Sequence, residues 1–192
     1  LLVLFIMLGM EVAWAIGFAC LSYLVLSDVF LDDANYVSFP LYVFDGVDSF
    51  ALLAIPLFLF AGELMTEAGV TQRLVRVAAA FVGHIRGGLA NVGVVSNYGM
   101  AGISGSAIAD AAATGTVLIP QMQKKGYPTG FSCAVIAAAS TVGPIVPPSI
   151  SFVLIGAIMN LSVGKLFLAG IVPGTLMSVA MFIVTWWIAR RR

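Results

Sequence analysis

Residues 89–122 carry at their centre the run Gly99-Met100-Ala101-Gly102-Ile103-Ser104-Gly105-Ser106, and the fold follows from how that run is read. Its flanks are apolar, with scattered polar residues. Glycine and serine are poor helix formers, and three glycines within seven residues favour a turn. The 34 residues of this stretch suffice for two half-depth helices joined by a turn. They are short for two full crossings of a hydrocarbon core about 30 Å thick at about 1.5 Å per residue. The segment therefore reads as a re-entrant helical hairpin over 88–122, its tip at the depth of the membrane centre.

A second interruption follows closely. Ser140-Thr141-Val142-Gly143-Pro144-Ile145-Val146-Pro147-Pro148-Ser149 lies inside the otherwise apolar stretch 128–157. Three prolines in five residues cannot continue an α-helix. Irregular backbone facing lipid would strand peptide groups at several kcal/mol each, so it must be covered by protein or line a cavity. Two broken segments in succession point to a solute and ion site between discontinuous helices.

Broken helices offer two kinds of end. Free N–H groups at the start of a half-helix suit an anion, and free carbonyls at the end of one suit a small hard cation. Ser104, Ser106, Thr141 and Ser149 add hydroxyl oxygens, a donor set that suits sodium. The alternative is that these small residues only allow close helix packing. Asp110 is the one acid beyond residue 67. An intramembrane carboxylate is a functional candidate; equally, it can accept hydrogen bonds from the free N–H groups at the start of the returning helix.

Composition sets the class. Of 192 residues, 61% are hydrophobic and 9% charged, whereas soluble domains run near 45–50% and about 25%. A soluble globule, a disordered chain and a nucleic-acid binder are excluded, leaving an all-α membrane protein. Nine acidic and nine basic residues cancel, but they segregate: every acid except Asp110 lies at or before Glu67, and every base at or after Arg73.

The run 1–27 fits one tilted helix or two short crossings, and the cost of Glu11 at mid-membrane favours a break there. Residues 28–48 read as an acidic loop with interfacial aromatics, and 49–65 as a span kinked by Pro56. Residues 71–86 are amphipathic, with Leu74, Val77, Phe81 and Ile85 on one face, as in a helix lying in the membrane surface. Basic clusters mark the cytoplasmic side, which places 73–86, Lys124-Lys125 and 190–192 inside and 28–48 outside. Lys165 falls on the far side. The stretch 128–157 then runs outward, 166–189 returns, and 89–122 leaves the cytoplasm and comes back to it.

Other features read as structural. Cys20 and Cys133 lack metal or disulfide spacing. His84 is an ordinary interfacial histidine, 190–192 a topology anchor, and Trp14, Trp186 and Trp187 belt or lipid-facing residues. Gly102-Ile103-Ser104-Gly105 is similar to the Gly-x-Ser-Gly of rhomboid-type proteases, but the single histidine precedes the serine, so no general base is available. The chain starts without Met inside an apolar run, as expected of a fragment or processed chain; no basic n-region marks a signal peptide.

Seven stretches in order resemble the large membrane subunit of tripartite ATP-independent periplasmic (TRAP) transporters. They are Asp48-Ser-Phe-Ala-Leu-Leu-Ala-Ile-Pro56, Ala61-Gly-Glu-Leu-Met65, Gly83-His-Ile-Arg-Gly-Gly-Leu-Ala90, Ala101-Gly-Ile-Ser-Gly-Ser-Ala-Ile-Ala-Asp110, Gly126-Tyr-Pro128, Ser140-Thr-Val-Gly-Pro-Ile-Val-Pro-Pro-Ser149 and Leu168-Ala-Gly-Ile-Val-Pro-Gly174. The resemblance implies an elevator-type fold of two inverted repeats in the bacterial inner membrane. It also implies sodium-coupled import of carboxylates such as C4-dicarboxylates or sialic acid. A periplasmic binding protein would deliver the substrate, and a small membrane subunit would brace the large one. No covalent chemistry and no cofactor beyond the coupling sodium are implied.

Carried onto this sequence, the hairpin site comprises Gly102, Ser104, Gly105, Ser106 and Asp110. The broken-helix site comprises Thr141, Gly143, Pro144, Pro147, Pro148 and Ser149, with sodium near Ser104, Ser106 and Thr141. The expected division is scaffold over 1–66, a cytoplasmic-face arm over 67–87, half a transport domain over 88–160 and a last span over 161–192. Family members commonly run to roughly double this length, so a second repeat is missing and this chain alone is not expected to transport. Members often carry proline near the position of Glu11. The rival readings are another dicarboxylate or anion carrier of the same superfamily, and a non-transporting membrane scaffold.

Overall fold

The computed structural model describes residues 1–31, 38–48, 50–85 and 87–191. Every regular element among them is an α-helix. The chain divides into two compact units, Leu1–Asp48 and Ser49–Arg192. The expected scaffold segment 1–66 is thus split, its last helix grouping with the helices that follow.

In the first unit, α1 (Leu2–Met7) ends at a turn where Gly9 adopts φ 81°, and α2 (Val12–Leu31) begins after Glu11. The break therefore falls at the glycine and acid that the sequence marks. A six-residue helix is about 9 Å long, too short to cross a bilayer. Phe5 of α1 meets Phe18 of α2 with ring centroids 6.2 Å apart.

The expected loop 28–48 is helical where it is described, except at Asp48. Residues 28–31 close α2, and α3 (Ser38–Val47) takes up most of the remainder. Pro40 sits in the first turn of α3, where its missing N–H has no partner to lose. Asp32, Asp33, Asn35 and Tyr36, which made the stretch look like a loop, lie outside the described residues.

The second unit begins with α4 (Phe50–Glu67), continuous through Pro56, and α5 (Val70–Val82). The two are bent by 66° at Ala68-Gly69, where Gly69 takes φ 77°. Next come α6 (Gly88–Ser104), α7 (Ala107–Lys124), α8 (Thr129–Ser140), α9 (Ile150–Ile158) and α10 (Val163–Arg191). Among the described residues, helix α10 alone is long and apolar enough to cross a membrane; α4 and α5 pass the same test only as a bent pair. Along α10, Leu168, Val172, Leu176, Val179 and Ile183 form an exposed apolar face. That face suits lipid and not water.

Helix α6 is the axis of this unit. Eleven of its residues are buried. Val92 joins Val75 and Ala78 of α5, Leu118 of α7 and Ile136 of α8 in one cluster. Ala90 and Val94 join Met122, Val135 and Ala139 in another. Helix α7 returns antiparallel beside α6: Thr114 Oγ1 donates to Asn97 Oδ1 at 3.2 Å, and Gly93 lies against Leu118.

Helix α5 also runs antiparallel along α6. Thr71 Oγ1 donates to the Met100 sulfur at 3.6 Å at one end, and Val82 and Leu89 share a cluster at the other. The face that α5 buries in protein is Thr71, Val75 and Ala78. Val77 and Phe81 of the expected apolar stripe are exposed. Small side chains win the protein-facing side because they let two backbones approach, and Gly99 of α6 supplies the space into which Leu74 fits.

Helix α10 is held to α6 by polar bonds inside an apolar surround. Thr185 Oγ1 donates to Asn91 Oδ1 at 2.5 Å, and the Tyr98 and Thr175 hydroxyls lie 2.8 Å apart. Such interhelical bonds average about 0.6 kcal/mol, reaching about 1.7. Thr185→Val, nearly isosteric, is expected to lower stability by about 1 kcal/mol. Chemical unfolding of the detergent-solubilised protein measures this; an unchanged midpoint would count against a fastening role.

Candidate functional site

The chain turns between α6 and α7 in two residues. Gly105 ends α6 at φ 59°, donating its N–H to the Ala101 carbonyl at 3.3 Å. Ser106 is extended and caps α7, its Oγ accepting from Ala109 N–H at 3.4 Å. The turn is narrower than the glycine content suggests, since Gly99 and Gly102 stay helical. Helices of 17 and 18 residues are about 25 and 27 Å long, more than half of a 30 Å core.

Ser104 organises the tip from within. Its Oγ donates to Asp110 Oδ1 at 2.5 Å and accepts from Ser106 N–H at 3.1 Å. Asp110 is fully buried. Its other oxygen, Oδ2, has no hydrogen-bond partner among the described residues. Of the two roles open in the sequence, backbone capping is filled by Ser106, which leaves the carboxylate with a spare oxygen.

The second interruption covers residues 141–149. Short turn bonds carry it: Gly143 N–H to Ser140 O at 2.9 Å, then Ile145 and Val146 N–H to Val142 O, both at 3.0 Å. Ser149 closes it, donating to Pro144 O at 2.5 Å and accepting from Phe152 N–H at 3.2 Å as the cap of α9. Thr141 stands apart: it is exposed, and its hydroxyl donates to Ala138 O at 2.7 Å in its own helix.

The two interruptions meet. A Cβ on Gly143 would stand 2.8 Å from Asp110 Oδ2 and 3.1 Å from Ala107 N. A Cβ on Gly105 would stand 2.6 Å from Pro148 O. Gly102 is looser, its nearest such neighbour being Pro147 O at 4.0 Å. The structure therefore gathers Gly102, Ser104, Gly105, Ser106, Asp110, Gly143, Pro147 and Pro148 at one junction, with Pro144 and Ser149 tied to each other at its edge. Thr141 is not brought to the Ser104–Asp110 pair by any bond of its hydroxyl.

Several residues that build the junction carry no obvious sequence signal. Gly170 and Gly174 of α10 seat the 141–149 segment, lying against Ile145 O and the Val146 side chain. Phe58 of α4 covers Gly105. One turn below Asp110, Thr114 Oγ1 also donates to Asp110 O at 2.7 Å, and Asn97 Nδ2 to Gly93 O at 2.8 Å. Buried amides in an apolar run were the available clue to that layer.

A serine-protease reading finds no support. Ser104 ends α6, whereas His84 is exposed beyond the start of α6, about 24 Å away along the helix. Cys20 and Cys133 are free and exposed. No group of three His, Cys, Asp or Glu suited to a metal occurs among the described residues.

Comparisons with known proteins give the chain a family. The family described as "Tripartite ATP-independent periplasmic transporter, DctM component" matches residues 1–192. The chain is 41% identical to the 2,3-diketo-L-gulonate TRAP transporter large permease protein YiaN of Escherichia coli (strain K12), over 97% of this chain and 43% of that protein. It is 37% identical to the sialic acid TRAP transporter large permease protein SiaM of Vibrio cholerae, over 96% of this chain and 42% of that protein. It is 43% identical to the C4-dicarboxylate TRAP transporter large permease protein DctM of Pseudomonas aeruginosa, over 80% of this chain and 36% of that protein. The chain belongs to the DctM family of TRAP transporter large permeases, a class of integral membrane proteins. It spans less than half the length of these relatives and corresponds to their N-terminal part. The two rival readings are not favoured.

Gly105→Ala should damage the junction, because it adds a side chain at a left-handed φ, costing about 1–2 kcal/mol, and drives it into Pro148 O. Gly102→Ala should be tolerated. Thermal melting of the two variants tests this, and equal midpoints would show that the tip and the 141–149 segment do not interlock.

Proposed function

We propose that this chain forms the N-terminal repeat of the large permease of a sodium-coupled, binding-protein-dependent importer of carboxylates. The names of the relatives support the substrate class, since they transport diketogulonate, sialic acid and C4-dicarboxylates. In this reading the protein is multi-pass in the bacterial inner membrane. A small membrane subunit braces it, and a periplasmic binding protein supplies the anion. A second repeat completes the site. The α6–α7 hairpin enters the membrane without crossing it, and it moves with the α8–α9 pair as half of an elevator domain. Helix α5, after the bend at Gly69, links that domain to the scaffold. The basic ends at Lys124-Lys125 and Arg190 face the cytoplasm.

One observation carries the ion site: Asp110 is buried, and its Oδ2 is orphaned at the junction of the two interruptions. An isolated carboxylate oxygen in a water-poor interior is costly unless a cation or proton meets it. Sodium is a hard ion served by oxygens. The donors at hand are Asp110 Oδ2, the Ser104 hydroxyl and carbonyls of the 141–149 segment, so the residues present fit the ion. Ser106 and Ser149 hold the backbone that aims these groups. Thr141 belongs to the outer edge of the proposed site. Substrate carboxylate would lie toward the free N–H ends of α7 and α9, where the helix dipole favours negative charge.

Transport by the full-length permease with its partner proteins tests this reading. Asp110→Asn and Ser104→Ala should each raise the sodium concentration for half-maximal uptake at least about tenfold, a loss of about 1.4 kcal/mol. Thr141→Ala should have a smaller effect. Wild-type uptake with wild-type sodium dependence in the Ser104, Ser106 and Thr141 variants would remove the assignment.

A further inference from the structure

Two basic stretches far apart in sequence, Lys124-Lys125 and the arginines that end α10, come to the end of the unit remote from the junction. The start of α6 touches the last turn of α10: a Cβ on Gly87 would stand 2.5 Å from that of Ala189. Between them and the α7–α8 connection lies a groove of about 240 Å³, lined by Gly87, Lys125, Tyr127, Phe131, Ile188 and Ala189 among others. Its wall is built firmly. Helix α7 ends at Gly126, with φ 82°, whose N–H donates to Gln123 O at 2.9 Å while Tyr127 N–H donates to Met122 O at 3.0 Å. This paired capping bond fixes where Lys125 and Tyr127 leave the helix. The Tyr127 and Phe131 rings stack, centroids 6.2 Å apart and planes 18° from parallel.

The groove is two-sided in chemistry: apolar rings and Ile188 within, an exposed lysine at the rim. No acid is among the residues that line it, and the nearest acid in sequence on those elements, Asp110, lies at the opposite end of α7. Its level follows from α10. Twenty-nine residues make a helix of about 43 Å, close to the full thickness of a bilayer with its headgroups. The last turn, with Ile188 and Ala189, therefore lies at phosphate depth. There Arg190 also sits over the Trp186 ring at 5.3 Å, an interfacial pairing.

We propose that this groove binds the headgroup phosphate of an anionic phospholipid from the adjacent leaflet. Lys125 supplies the charge, and the Tyr127–Phe131 pair with Ile188 receives the glycerol and first methylenes. The site ties α10 to the α7–α8 connection and to the start of α6. It rests on membership of a membrane family and not on sodium coupling, and its readout is stability, so it stands or falls separately from the transport reading.

The protein, purified in neutral detergent, is titrated with phosphatidylglycerol, with phosphatidylcholine and with inorganic phosphate while its thermal midpoint is followed. Phosphatidylglycerol should raise the midpoint, and the other two should not. Lys125→Gln should weaken the apparent affinity about fivefold, the effect of one basic residue at a lipid surface. Lys124→Gln, which removes a neighbouring charge outside the groove, should leave it within about twofold, and Lys125→Arg should preserve it. The lipid-free midpoint of each variant reports on folding. Equal weakening by the Lys124 and Lys125 variants would mean diffuse attraction with no site. A matching response to inorganic phosphate would mean a free-anion site. A response to phosphatidylcholine would mean that charge is not read. Each of these overturns the proposal.

Discussion

Peptide groups shut away from water must find their hydrogen bonds within the chain, and this requirement shapes both interruptions. The same solution appears twice. Ser106 and Ser149 each adopt an extended backbone, at φ/ψ −131°/118° and −122°/125°, and each accepts an N–H from the first turn of the helix that follows. Upstream of each cap, turn bonds satisfy what the broken helix leaves open. With the backbone provided for, some side-chain oxygens are left over: among the described residues Asp110 Oδ2 and the Ser96 and Ser178 hydroxyls have no partner, and Asp110 alone of these is a carboxylate.

The second constraint is spatial. Helix α6 touches α4, α5, α7, α8 and α10, so it can carry few large side chains on any face. Its alanines, glycines, serines and asparagines answer that demand. Where hydrophobic burial gives little drive between helices in lipid, close approach and internal polar bonds hold them together. The Asn91–Thr185 and Asn97–Thr114 pairs do so at two levels of the same helix, one against α10 and one against α7.

The positions of the breaks were legible because proline and glycine act locally: Pro144, Pro147 and Pro148 crowded together end the helix where the single prolines Pro56, Pro120 and Pro173 do not, and Gly9, Gly69, Gly105 and Gly126 take left-handed angles that other residues resist. The identity of the junction residues was legible for the same reason, because Ser104 and Asp110 lie within one turn of a break. What escaped was non-local. Which face of α5 meets protein depends on α6, so the protein-facing stripe of Thr71, Val75 and Ala78 could not be picked out beside the apolar stripe of Leu74, Val77 and Phe81. Asn91 and Thr185 are 94 residues apart, and no spacing rule joins them. Thr141 looked equivalent to Ser104 by composition, yet one hydroxyl turns back to its own helix and the other reaches across the tip.

The bare backbone of Gly143 beside Asp110 Oδ2 has a mechanical consequence. A side chain at residue 143 would collide with that oxygen, so the two interruptions close on each other as bare backbone against carboxylate. On the proposed sodium reading, the ion at that spot also latches the two interruptions together.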